Sequence, residues 1–157
     1  YIHGGSQEKG RRAGTENVYG IIGLGKAIEI SCSEVEIESE KLRVLRDYMI
    51  EKIMREISGS KINGSIEHRL CNNINVCFDG IDDEGILLSL DLRGICASSG
   101  SSCNSGSVNV SHVLQAIGLS PIEAQGSVRF TIGKNSTKSD VDYVVNELRK
   151  IVNRYRT

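Results

Sequence analysis

Apolar side chains recur every three or four positions in the long stretches of this chain and every second position in two short ones, a contrast that separates helices from strands. Leu42, Leu45, Met49, Ile53 and Ile57 keep spacings of three and four with charges between them, which predicts an amphipathic surface helix over about 34–58. Near the C-terminus Val141, Val144, Val145, Leu148, Ile151, Val152 and Tyr155 fall on one face of a closing helix in the same way. "NNINVCFDG" alternates Ile74, Val76 and Phe78 with Asn75 and Cys77 and stops at Asp-Gly, the signature of a strand and its turn. "SVRFTIG" reads as a second strand, and "GICAS" as a buried one.

Between these lie shorter helical signals. "GTENVYGIIGLGKAIEIS" predicts a helix over about 16–31, with the Thr15 hydroxyl as a cap and Glu16 at the positive end. Its Gly20, Gly23 and Gly25 each cost about 1 kcal/mol of helix stability relative to Ala, so they are expected to permit close packing against another element. A short helix follows over about 83–92, another spans "VSHVLQAIG", and Ser120 with Pro121 opens a helical turn at "SPIEAQ". Strands and helices alternate without internal repeats. The pattern predicts an α/β or α+β fold, a short sheet with helices packed on one face.

Length and charge narrow the class. A chain of 157 residues supports one main core. Its net charge of −1 gives no general attraction for nucleic acid or an anionic membrane. No apolar run approaches the roughly 20 residues needed to span a bilayer, and no signal peptide opens the chain, so a cytoplasmic location is expected. The opening "YIHGG" lacks Met and is Gly-rich, which suggests a piece of something longer.

Five cysteines, an odd number without any C-x-x-C pair, fit neither a disulfide framework nor a zinc site. Cys32, Cys71, Cys77 and Cys96 lie in or beside apolar segments and are expected to be buried as small hydrophobes. Cys103 differs: it stands inside "SSGSSCNSGS" with no apolar neighbour. A thiol carried on such a loop can travel to a reaction centre, attack as thiolate and carry the product away. On that reading residues 98–107 are loosely ordered and Cys103 is the most exposed thiol; the alternative is a plain linker. His112, nine positions on, is expected to have a packed or surface role.

"GRRAGTEN" is the second candidate. Arg11, Arg12, Gly14, Thr15 and a helix N-terminus together would suit an anion such as phosphate, unless the arginines pair with Glu8 or Glu16.

"GGSQEKGRRAGTENV", "ASSGSSCNSGS" and "SVRFTIG", in that order, closely resemble the C-terminal part of the cysteine desulfurases of the NifS/IscS class, across essentially the whole chain. These are pyridoxal-phosphate enzymes of the aspartate-aminotransferase fold. They act as homodimers, take sulfur from L-cysteine to leave alanine, and hold it as a persulfide. The resemblance implies that residues 1–35 end the large, cofactor-binding domain and that 36–157 form the small C-terminal domain. It implies that Cys103 accepts the sulfur, that Arg129 grips the substrate carboxylate, and that Thr15 reaches the phosphate of pyridoxal 5'-phosphate in the partner subunit. An iron–sulfur scaffold or another sulfur-acceptor protein, including one serving tRNA thiolation, would be the partner, with no direct nucleic-acid or membrane contact. The family's Schiff-base lysine follows a His in a Ser-x-His-Lys segment, and no His-Lys pair occurs here. This chain alone is therefore expected to be inactive. The alternative is a non-catalytic sulfur-relay or scaffold module displaying a persulfidable Cys; a phosphate-binding domain with an incidental Cys is a third reading.

Overall fold

The computed structural model describes residues 2–99 and 111–156. The expectations for Cys103 and for residues 100–107 lie outside these. The chain divides into two compact units, Tyr1–Ile37 and Glu38–Thr157.

In the first unit a helical turn, α1 (Gln7–Gly10), places Glu8 and Lys9 at φ of 54° and 58°, the left-handed region that non-glycine residues seldom adopt. The long helix α2 (Val18–Glu56) then begins here and runs on into the second unit. One continuous helix replaces the two expected from the sequence, because nothing between Ser31 and Glu34 breaks it. Ser33 instead turns its hydroxyl back to the Ile30 carbonyl at 2.8 Å, a bond compatible with the helix. The cap also differs. Gly20 N donates to Asn17 Oδ1 at 3.0 Å, so Asn17 takes the role expected of Thr15. A Cβ on Gly23 or Gly25 would meet nothing within 4 Å, so the expected close packing is not made among the described residues.

The second unit is a four-stranded antiparallel sheet in the order β1-β2-β4-β3, built from β1 (Ser60–Ile62), β2 (Asn73–Phe78), β3 (Ser98–Ser99) and β4 (Ser127–Thr131). Helices α3 (Asp83–Asp91), α4 (His112–Ala116), α5 (Pro121–Gln125) and α6 (Lys138–Arg156) complete it. Alternation decides the faces: Ile74, Val76, Phe78, Val128 and Phe130 are buried in one core with Met49 and Ile53 of α2, Ile86 and Leu90 of α3, and Val145, Leu148 and Val152 of α6. Asn75, Ser127 and Arg129 fall on the opposite side. This mixed architecture, a small sheet with its main helical layer on one face, is the fold class expected. Ile95–Ala97 is not a strand; only Ser98 and Ser99 pair with β4, so the start of the Ser-rich stretch belongs to the ladder. Tyr155, expected on the buried face of α6, is 49% exposed and donates its hydroxyl to the Gly85 carbonyl at 3.1 Å.

Two polar devices fix the helices. Tyr48 of α2 donates to Asp142 of α6 at 2.6 Å, Lys52 pairs with the same carboxylate, and Lys138 lies 4.6 Å above the Tyr48 ring. The helical turn expected from Ser120 and Pro121 is α5, and Ser120 and Glu123 close a reciprocal capping box at its start.

At the start of α3, burial pushes the Asp83 carboxyl up to about 6, and the neighbouring Asp82 charge adds to the shift. Its unfolded value is about 3.9, so the folded chain holds the extra proton between these limits. Asp83 therefore favours the fold fully below about pH 4, and that contribution is lost as pH rises through 6. Asp83→Asn is expected to raise stability at pH 7 by about 1 kcal/mol, allowing for solvent screening of a half-exposed group, and to give no gain at pH 4. Urea midpoints of the two proteins at both pH values check this; an equal gain at both would assign the effect to helix capping.

Candidate functional site

One row of polar residues crosses the sheet on the face away from the core. Asn75 of β2 stands directly opposite Arg129 of β4, and Ser98 of β3 stands opposite Arg129 on its other side. Asn63 extends the row past β1, its backbone N–H donating to the Asn75 carbonyl at 2.9 Å.

Arg129 is half-buried, and among the described residues its guanidinium has no hydrogen-bond or ion-pair partner. Other arginines of this unit are committed elsewhere. Arg46, with its side chain 6% exposed, pairs with Asp47 at 2.7 Å and donates to the Leu70 carbonyl. Arg69 donates to the Asn63 carbonyl at 2.7 Å and to the Ser65 carbonyl at 2.7 Å, holding the Asn63–Leu70 connection against the sheet. A free cation on a strand, with no carboxylate set against it, is suited to an anionic ligand that arrives from outside. The first residue of the ladder facing Arg129 precedes Cys103 by five positions in the chain.

Asn63 is 4% exposed and organises the neighbouring side chains. Its Nδ2 donates to Asn75 Oδ1 at 2.6 Å and to Ser127 Oγ at 2.9 Å, while Ser127 Oγ donates onward to the Glu123 carbonyl at 2.6 Å. Its own Oδ1 is buried without a partner among the described residues. Sequence reasoning missed this cluster. The alternation in "NINVCF" placed Asn75 on the polar side, but the pairing of Asn75 with both Asn63 and Arg129 depends on strand register.

In the first unit Arg12 is spent on the loop itself, with Nη1 donating to the carbonyls of Gly14 at 2.9 Å and Thr15 at 3.1 Å. Neither Arg11 nor Arg12 pairs with Glu8 or Glu16. The helix start is also largely satisfied: Val18 N–H donates to the Glu16 carbonyl at 2.9 Å, and Gly20 N–H is capped by Asn17. The expected anion site on free helix N–H groups is therefore reduced to the side chains of Arg11 and Thr15, both exposed.

The thiols differ from expectation in two places. Cys77 is buried, and burial pushes its thiol above the usual value; Cys71 is half-buried. Cys32 and Cys96, expected inside, are exposed. Cys32 lies on α2 in the first unit, and Cys96 follows buried Ile95 in a stretch that does not join the ladder. A cavity of about 240 Å³ lined by Met49, Cys96, Phe130 and Tyr143 lies beside Cys96 and does not include Arg129. His112 is the exposed first residue of α4, which Ser111 caps. No cluster of His, Cys, Asp or Glu able to hold a metal occurs among the described residues.

Residues 2–144 match the family model for aminotransferase class-V. The chain is 52% identical over 157 residues to a cysteine desulfurase IscS of Dictyoglomus turgidum, covering 99% of this chain and 40% of that protein. It is 47% identical over 153 residues to a cysteine desulfurase of a Nostoc species, covering 98% of this chain and 38% of the relative. Among solved structures it resembles a NifS-like protein with a TM-score of 0.83 at 32% identity, covering 98% of this chain and 38% of that one. A NifS-like protein from Rickettsia africae gives 0.81 at 30% identity, over 97% of this chain and 39% of the other. The chain thus spans about two-fifths of the length of these relatives.

Proposed function

The chain belongs to the aminotransferase class-V family, and from that premise we propose that it is the part of a cysteine desulfurase that supplies the sulfur-accepting thiol, Cys103, and the carboxylate-binding Arg129. The single observation carrying this reading is Arg129: a half-buried guanidinium on β4 without a partner among the described residues, facing the strand from which the chain runs on to Cys103. Its fork matches the two oxygens of an amino-acid carboxylate.

Thr15 and Arg11 offer a hydroxyl and a guanidinium without a partner among the described residues, a donor set that suits the phosphate of pyridoxal 5'-phosphate held by a homodimeric partner. When bound, that cofactor supplies the electron sink for chemistry at the substrate carbon. The work of this chain is then narrow. Arg129 orients L-cysteine, and Cys103 as thiolate attacks the cysteine sulfur. The S–S bond forms as the C–S bond breaks, the pair from that bond takes up a proton at carbon, and alanine leaves while Cys103 holds the persulfide. A cytoplasmic sulfur-acceptor protein, such as an iron–sulfur scaffold or a tRNA-thiolating enzyme, would take the sulfur next.

The test is to give the complete protein L-cysteine and follow both products. Alanine should appear together with one added sulfur atom on the Cys103 peptide, read by mass mapping. Alanine without sulfur on Cys103 would overturn the assignment of the thiol. Sulfur loaded on Cys103 from a supplied persulfide, with no alanine from cysteine, would make the chain a relay module instead.

A further inference from the structure

We infer that Asn75 is a second substrate-binding residue, its side-chain amide donating to the same carboxylate that Arg129 holds; the inference rests on the role proposed for Arg129. The hydroxyl of Ser127 has a single proton. That proton goes to the Glu123 carbonyl at 2.6 Å, so Ser127 Oγ can only accept from Asn63. The amide end of Asn63 that faces Ser127 is therefore Nδ2. The same Nδ2 faces Asn75 at 2.6 Å, so the atom of Asn75 that meets it must be the acceptor, Oδ1. The polarity of Asn75 is settled by this chain of bonds, and its Nδ2 is left over as a donor. Among the described residues nothing accepts from it.

Asn75 is half-buried and directly opposite Arg129 on the same face of the sheet, a relation that puts Cβ atoms about 5 Å apart. Two neighbouring groups, one guanidinium and one amide NH2, thus present donors only, with no acid between them. A carboxylate accepts through two oxygens and about four lone pairs, and can engage both groups at once. Asn63 serves as the positioning residue: buried at 4% exposure, it turns the Asn75 amide so that its donor end is the available one.

The experiment uses the complete holoenzyme and reads ligand affinity from the change in cofactor absorbance. L-cysteine is compared with its methyl ester, which has the same thiol and amine but no carboxylate charge. Asn75→Ala should weaken L-cysteine about tenfold, as expected for a lost hydrogen bond to a charged group. Asn75→Asp keeps an oxygen for Asn63 Nδ2 but sets a carboxylate against Arg129 and the incoming substrate, and should weaken L-cysteine about a hundredfold. Both should leave methyl ester affinity within about twofold and kcat nearly unchanged, so the loss sits in KM. A purely structural Asn75 would weaken both ligands alike or lower kcat, and either result overturns the inference. Arg129→Ala separates the role of Arg129 from that of Asn75. If it weakens L-cysteine while both Asn75 variants bind it like wild type, only the Asn75 assignment fails. If it leaves L-cysteine affinity unchanged, the carboxylate is held elsewhere and both assignments fail.

Discussion

Cys103→Ser in the complete protein is expected to lower sulfur transfer from L-cysteine by about three orders of magnitude or more, while the cofactor spectrum stays as in the wild type. The scale is that of removing a covalent nucleophile. A serine hydroxyl is far less acidic than a thiol and forms no persulfide, so the transfer loses its acceptor atom and not merely an orienting contact. Cys96 supplies the control. It is exposed and lies seven positions earlier in the chain, so it is the thiol most able to substitute by proximity in sequence. Cys96→Ser should transfer sulfur at the wild-type rate. Radiolabelled sulfur from cysteine, followed by peptide mapping, distinguishes the two. Transfer that survives Cys103→Ser and disappears with Cys96→Ser would move the nucleophile to Cys96.

Gly126→Ala is expected to have the largest effect on the fold, a loss of about 2–3 kcal/mol, in the range of overpacked sites that cannot relax. Its φ of −86° and ψ of 13° are open to alanine, so backbone freedom is not what requires glycine. Space is. An added Cβ would lie 2.8 Å from the Phe78 carbonyl oxygen and 2.8 Å from that of Ile81, both main-chain atoms. Neither can swing away, because the Phe78 amide is itself bonded to the Gly126 carbonyl at 2.9 Å. Gly80 gives the contrast. Its φ is +74° with nothing within 4 Å of a Cβ, so Gly80→Ala meets only conformational strain of about 1 kcal/mol. Urea denaturation of both variants tests the ordering; a Gly126→Ala midpoint equal to wild type would show that the β2 and β4 ends can separate without cost.

What could be read from the residues alone follows from range. β2 and β4 were legible because each alternates over five or six residues, and α5 because Ser120 and Pro121 carry its start signal in adjacent positions. α6 was legible from its long apolar stripe. β1, at three residues, is too short to show a period, and "GICAS" has the composition of a strand without a neighbour to pair with until Ser98. The break expected near Ser31 failed because Ser and Cys are tolerated inside a helix, where the Ser33 hydroxyl bonds back to the Ile30 carbonyl. At the site, the chemistry of Arg129 was suggested by family resemblance and its unpaired state is a fact of packing. Asn63 and Ser127 could not be joined to it from sequence: 64 positions separate them, and only the antiparallel register brings them into one hydrogen-bonded chain. The exposed Cys96 had the same cause. Its apolar neighbours are local, whereas burial depends on which of them turns inward, and here it is Ile95.

The described residues on either side of positions 100–110 are each held by contacts of their own. Ser98 and Ser99 are held by pairing with β4. On the far side Ser111 is 7% exposed and caps α4 through the Leu114 amide, with Leu114 in a small cluster with Leu119 and Ala124. Because doubling the length of a closed connection costs only about 0.6 kcal/mol, an insertion between these two anchors is expected to cost the scaffold little. On the role proposed for Cys103, a change of length between the two anchors alters the reach of the thiol while β4, Arg129 and the Asn63–Asn75 pair stay as they are.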